Sequence, residues 1–224
     1  MIRVELADEP ATFDDTVRRP GLLAIAEMVG ECPNPLRQHG KPIKYRAASR
    51  AAIKPDKFPP YWRLALKDMM EKYHQICAYS CFRIHTVTGA GSVDHMVPKS
   101  RSWENVYEWK NYRLACSRLN SLKLDFGDVL DPFDIRDGWF QLELVGFQVN
   151  PDRKLSKPLQ MSIQNTINRL HLNDPIPCRQ REDAAEEYLI GRDNQPLPLW
   201  KLEKESPFVA MELRRQGRLR DGDV

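Results

Sequence analysis

The chain has 224 residues, and hydrophobic residues make up 42% of it, enough to bury a core, which excludes wholesale disorder. The formal net charge of +3 is too small to name a partner by itself. No apolar run approaches a membrane span, and residues 1–20 carry acids where a secretory leader needs a basic start and a greasy stretch.

Residues 1–60 read as an irregular arm containing one short helix, "RRPGLLAIAEMVGE", begun by Pro20 and closed by Gly30. The proline-rich, basic stretch after it reads as a wrapping loop. From Tyr61 to Tyr73 the apolar positions Trp62, Leu66, Met69, Met70 and Tyr73 predict a helix. "ICAYSCFRIHTVTGAGSVDHM" predicts two strands joined by a turn around Thr88-Gly89-Ala90-Gly91. A loop from Val97 to Lys110 leads to a short strand, "NYRLAC". "SRLNSLKLDF" then predicts a helix of about three turns with Ser117 as N-cap. Beyond residue 133, "GWFQLELVGFQV" predicts a strand or hairpin, and "MSIQNTINRLHL" and "REDAAEEYLI" predict helices. "SPFVAMELRRQG" predicts a last helix, capped by Ser206 and left at Gly217. The expected layout is α+β: an arm over residues 1–60, a core over 61–133, and a C-terminal part over 134–224.

Charge is unevenly spread. Between Pro98 and Lys123 stand Lys99, Arg101, Lys110, Arg113, Arg118 and Lys123 against Glu104 and Glu108, an excess of +4 that exceeds the whole chain's +3. Such clustering suits a phosphate backbone, although a solvated face gives the same pattern.

Within this window lies an ordered set: Asp94-His95, fifteen residues, Asn111, eight residues, Asn120, two residues, Lys123. A histidine at a strand end can take a proton from water near neutral pH. Asp94 and Asn120 offer hard oxygens, and two such ligands leave most of a Mg²⁺ (or Mn²⁺) shell open for water and phosphate. Lys123, one turn from Asn120, is expected to meet substrate phosphate. Lys99, Arg113 and Arg118 are the further nucleic-acid contacts expected. His74, His85 and His171, with Trp103 and Trp109, read as structural.

These residues, in "VDHMVPKS", "WKNYRLAC" and "NSLK", resemble the HNH endonucleases, the ββα-metal or His-Me finger superfamily. The resemblance covers residues 76–131. It implies a ββα-metal finger with His95, Asn111 and Asn120 as the catalytic trio: His95 as general base, Asn111 ordering the loop around it. Asp94 and Asn120 would hold one divalent ion. The surroundings of the motif are similar to anti-phage defence nucleases, such as the Septu-type nuclease subunit, whose partner is an ATPase. That similarity implies a cytoplasmic DNA endonuclease; an RNA nuclease, for instance against tRNA, or a non-catalytic nucleic-acid-binding subunit are the alternatives.

Many HNH proteins clamp a structural zinc between two Cys-x-x-Cys pairs. Here Cys77 and Cys81 are separated by three residues, and Leu119 stands where Cys116 would need its partner, so the spacing argues against structural zinc. Cys32 or His85 could complete a set with Cys77, Cys81 and Cys116, but nothing in the spacing requires it. Five cysteines, odd in number and irregularly spaced, fit a reducing cytosol better than a disulfide scaffold.

Overall fold

The computed structural model describes residues 1–31, 43–44, 46–191 and 193–223. Cys32 and much of the basic, proline-rich stretch after it lie outside the described residues. The protein is mixed α+β, with seven α-helices and two small antiparallel sheets among the described residues.

In the arm, α1 spans Arg19–Met28 with Pro20 in its first turn, where the missing N–H costs nothing. A wider turn over Asp14–Arg18 precedes it, and Gly30 ends it at φ 77°. The arm packs on the following segment. Phe13 meets Trp109 and Tyr112 edge-to-face at 5.6 and 5.8 Å, and the Trp109 indole donates to the Ala7 carbonyl at 2.7 Å. At Gly21 the backbone touches the Tyr107 ring so closely that a Cβ would stand 2.3 Å from it. Only glycine fits there.

The helix expected from residue 61 begins as 3-10 turns over Tyr61–Ala65 and becomes α2 at Leu66–Lys72. The two strands expected next are a correction. Residues 76–85 form no strand: one bridge joins Ile76 to Arg83, and Cys81 turns the chain at φ 58°. The Cys77 N–H donates to the Phe82 carbonyl at 3.0 Å, while the Arg83 N–H goes to Glu205 and that of Ala78 to Leu114. With these groups spent elsewhere, no ladder with the next strand can form.

The only strand of the pair is β1, Gly91–His95. It runs antiparallel to β2, Tyr112–Cys116, with Asp94 opposite Arg113 and His95 opposite Tyr112. Helix α3, Ser117–Lys123, follows at once. It is two turns long rather than three, because Leu124 leaves it at φ 50°. Cys116 holds the N-cap position, and the Ser117 hydroxyl is spent on the Ala90 carbonyl at 2.9 Å.

In the C-terminal part, β3 (Phe140–Leu142) and β4 (Val149–Pro151) form a hairpin. Helix α4 (Lys157–Arg169) packs on β4 and α7 (Pro207–Arg215) on β3, while α5 (Pro175–Leu189) and α6 (Leu199–Glu205) pack on α7 and on each other. The sequence reading had no α6. Fully buried Glu212 of α7 accepts the Leu142 N–H at 2.7 Å, tying the last helix to the hairpin. One hydrophobic cluster runs from Met1 and Phe13 through Val93, Leu114 and Leu119 to Ile163 and Leu213, so all three segments share a core. Among the described residues no helix is long and apolar enough to cross a membrane.

Candidate active site

Where β1, the start of α3 and the 3-10 turns before α2 meet, they leave a cleft of about 680 Å³. Asp94, His95 and Asn120 line it from the strand–strand–helix side; Trp62 and Arg63 line it from the other. Three of the four residues expected to form the site therefore share one cavity, and the fourth, Asn111, lies behind it.

His95 is 7% exposed, its ring gripped edge-to-face by Trp62 at 5.0 Å and Tyr112 at 5.2 Å. Its Nε2 lies 2.9 Å from the Val106 carbonyl. A carbonyl only accepts, so Nε2 carries the proton and Nδ1 keeps the lone pair. Among the described residues Nδ1 has no partner, yet the one sealed side-chain nitrogen or oxygen without a bond among them is Arg181 Nε. Nδ1 is therefore open to the cleft. Burial lowers the imidazole to about 3, more than the Val106 contact can offset, with Lys99 and Lys123 pushing the same way. The ring is neutral at pH 7, so its lone pair is free, and the same lowering makes it a weaker base than an ordinary histidine.

Asn111 holds the loop over that ring. Its Oδ1 accepts the Val97 N–H at 2.7 Å, and its Nδ2 donates to the carbonyls of Val97 at 3.1 Å and Asn105 at 2.9 Å. The next residue in that loop is Val106, the partner of His95. Asn111 is thus a positioning residue with no atom needed for substrate.

Asn120 turns its Nδ2 to the Ser92 hydroxyl at 3.1 Å and the Val93 carbonyl at 3.3 Å. Its Oδ1, with no bond from the described residues, is the end left for the cleft. Asp94 is 3% exposed and held from two sides: the Tyr79 hydroxyl donates to Oδ2, and Lys123 Nζ lies 3.2 Å from each oxygen. Burial raises its pKa, against the pull of Lys123 and Tyr79.

The chain matches no protein-family model and no curated protein.

Of the four expected nucleic-acid contacts, two are placed otherwise. Lys123 is fully buried, its ammonium spent on Asp94 and on the carbonyls of His95 at 2.9 Å and Met96 at 3.5 Å. It braces the site from inside rather than meeting phosphate. Arg113 is 3% exposed, forms a two-pronged pair with Asp131, donates to the Lys110 and Tyr112 carbonyls, and covers the Phe133 ring at 3.5 Å. Arg118 is exposed, 3.7 Å from Asp174. Lys99 lines the cleft, its ammonium 4.1 Å from the centre of the Trp62 ring.

The cysteines gather only in part. The Cys116 N–H donates to Cys77 Sγ at 3.3 Å, and although burial raises the Cys77 thiol, hydrogen bonds from Cys116 and Ser80 together lower it. Cys81 is buried, its thiol raised by burial. Among the described residues no three His, Cys, Asp or Glu side chains are grouped to hold a metal.

Sequence reasoning missed Tyr79, Trp62 and Arg63. Tyr79 sits between two cysteines in a segment read as strand, and Trp62 read as an apolar helix position. Neither spacing nor motif marks them.

Proposed function

We propose that this chain is a metal-dependent endonuclease of the HNH, ββα-metal kind, cutting phosphodiester bonds in DNA. The observation that carries the reading is the state of His95. Its Nε2 proton is committed to the Val106 carbonyl, its Nδ1 lone pair is open to the cleft, and Asp94 and Asn120 line the same cavity. The strand–strand–helix order and the resemblance in "VDHMVPKS", "WKNYRLAC" and "NSLK" support the same conclusion. By that resemblance we extend the proposal to an effector nuclease of anti-phage defence, governed by an ATPase partner.

The residues fit a hard divalent ion. A carboxylate has about four lone-pair sites, and Tyr79 and Lys123 do not use them all. The free Asn120 oxygen adds a second ligand of the type Mg²⁺ takes. Held by Asp94 and Asn120, such an ion would supply positive charge against the negative charge that develops at the phosphate.

The chain's own part is proton transfer and orientation. His95 Nδ1 takes a proton from a water as that water's oxygen bonds to phosphorus in line with the leaving group. The phosphorus–O3′ bond breaks, the 3′ oxygen gains a proton from solvent, and the products are a 5′-phosphate and a 3′-hydroxyl. Tyr112 and Trp62 fix the ring's tilt, so the lone pair points at the water without reorganisation.

The test is a metal titration of wild type, His95→Ala, Asp94→Ala and Asn120→Ala on plasmid DNA and on RNA, with EDTA controls. His95→Ala should lose about 10²- to 10⁴-fold in rate at every metal concentration. Excess Mg²⁺ should partly restore the other two, which weaken a ligand set without removing the base. If Mg²⁺ restores His95→Ala as readily, His95 is a ligand rather than the base. If His95→Ala cleaves like wild type, the nuclease reading of this site is wrong.

A further inference from the structure

Opposite the strand–strand–helix side, the cleft wall is built by residues outside the segment that resembles a nuclease. The 3-10 turns over Tyr61–Ala65 bring Trp62 and Arg63 to its edge, facing Lys99 from the loop after β1. Lys99 and Arg63 both line the cleft; of the two acids that line it with them, Asp125 accepts from the Ser100 hydroxyl at 3.5 Å and Asp94 is held by Lys123. Neither makes an ion pair or a side-chain hydrogen bond among the described residues, and Lys99 is lowered first by burial and next by Arg63's charge. The acid that pulls Lys99 the other way, Asp56, is itself paired with Lys57 at 2.6 Å. Asp94, on the cleft floor, is neutralised by Lys123.

Two cations facing one cavity repel unless an anion sits between them. Nor is the arrangement a loose one. Trp62 carries the Lys99 ammonium on its face at 4.1 Å and meets the His95 ring at 5.0 Å. One indole therefore fixes the cation and the base relative to each other. The ammonium is held where it keeps its three donors while losing part of its hydration.

We propose that Arg63 and Lys99 form a phosphate clamp that grips the backbone of a nucleic-acid strand and sets it against His95, with Trp62 as the shared mount. This rests on the nuclease reading above and names the part of that site that binds substrate. The clamp reads charge and spacing, not bases, so its contribution is the same for every sequence. It also gives the substrate-binding wall one residue from outside the strand–strand–helix unit, Arg63, beside Lys99 of the loop after β1.

The experiment uses the full-length chain carrying His95→Ala, so nothing is cleaved, in EDTA, with a fluorescent single-stranded DNA oligonucleotide at several salt concentrations. Arg63→Gln and Lys99→Gln are added singly and together, and Lys157→Gln at the start of helix α4, outside the cleft lining, is the control. Each clamp substitution should weaken binding about tenfold, the strength of one charge-assisted bond. Each should also flatten the slope of log affinity against log salt by about 0.7, because one phosphate contact is gone. The control should change neither. In the cleaving protein, with His95 restored, the loss should fall on KM more than on kcat, as for contacts made before the chemistry.

Unchanged affinity and slope in a protein that still cleaves would overturn the clamp while leaving the nuclease reading intact. Weaker binding with an unaltered salt slope would also overturn it, showing an indirect effect. If the parent protein neither binds the oligonucleotide nor, with His95 restored, cuts any nucleic acid, both ideas fall together.

Discussion

Replacing Lys123 by methionine tests whether the lysine braces the site or binds substrate. Its ammonium has three acceptors, Asp94, the His95 carbonyl and the Met96 carbonyl, which match its three donors. Its side chain is fully buried and that of Asp94 nearly so, so solvent screens the pair little. Removing one partner of a buried pair costs about 3–5 kcal/mol, since it strands the other charge. Set against a typical total of about 5–15 kcal/mol, that is a large fraction of the fold's stability. The penalty should shrink as pH falls. Burial already raises the Asp94 pKa, and loss of the lysine raises it further, so the folded variant binds a proton before the unfolded chain does. A group raised in this way favours the folded state toward acid and loses that advantage as pH rises. Urea unfolding at pH 7 and pH 5 reads both effects. Combining Lys123→Met with Asp94→Asn should recover much of the loss at pH 7, because no charge is left stranded. A cost below about 0.5 kcal/mol, with a lowered salt slope for nucleic-acid binding, would refute this and return Lys123 to the surface role its sequence position suggested.

The His95 imidazole, held at about 3, is neutral in the folded chain while the unfolded one charges below its ordinary 6.5. Stability should therefore fall from pH 6.5 downward, by roughly 2–3 kcal/mol at pH 4.5, and His95→Gln should flatten that fall in parallel urea titrations. An equal slope in both proteins would show that other groups govern it. Asn111→Ala removes three loop bonds and should cost about 2 kcal/mol or more by thermal or urea unfolding, with cleavage falling alongside. A variant as stable as wild type would mean that water replaces the amide. Because Lys123 already neutralises Asp94, Mg²⁺ should bind the nucleic-acid-free protein weakly, and an oligonucleotide should raise its affinity at least about tenfold by calorimetry. Tight binding of Mg²⁺ by the free protein would contradict that charge balance.

What was legible in the sequence was whatever has a period or a fixed spacing. Helix α7 was marked by Ser206, Pro207 and Gly217, and the hairpin of β3 and β4 by its alternation. The order Asp94-His95, Asn111, Asn120 put three residues into one cleft and the fourth behind it. The segment from Ile76 to Ile84 was misread because its nearly continuous apolar run resembles a buried strand, whereas the backbone bonds that would pair a strand go to Leu114 and Glu205. Those partners are distant in sequence and leave no local trace. Lys123 was misjudged for a related reason. A helical spacing of three places it on the Asn120 face, but how deep that face is buried depends on what packs over the end of α3.

The geometry around His95 is therefore not a property of the motif alone. Its ring is held by Tyr112 from β2 but also by Trp62, and its Nε2 by a carbonyl next to Tyr107. Tyr107 in turn donates to the Pro59 carbonyl at 2.8 Å and lies against Gly21 of α1. The arm thus reaches the base through two packed contacts, each with little room to adjust. A side chain at Gly21 would push on the Tyr107 ring, and through the adjoining Val106 would move the acceptor that sets the tautomer of His95. Spacing brings the chemical groups to one place, whereas the long-range packing decides which nitrogen of His95 faces the cleft.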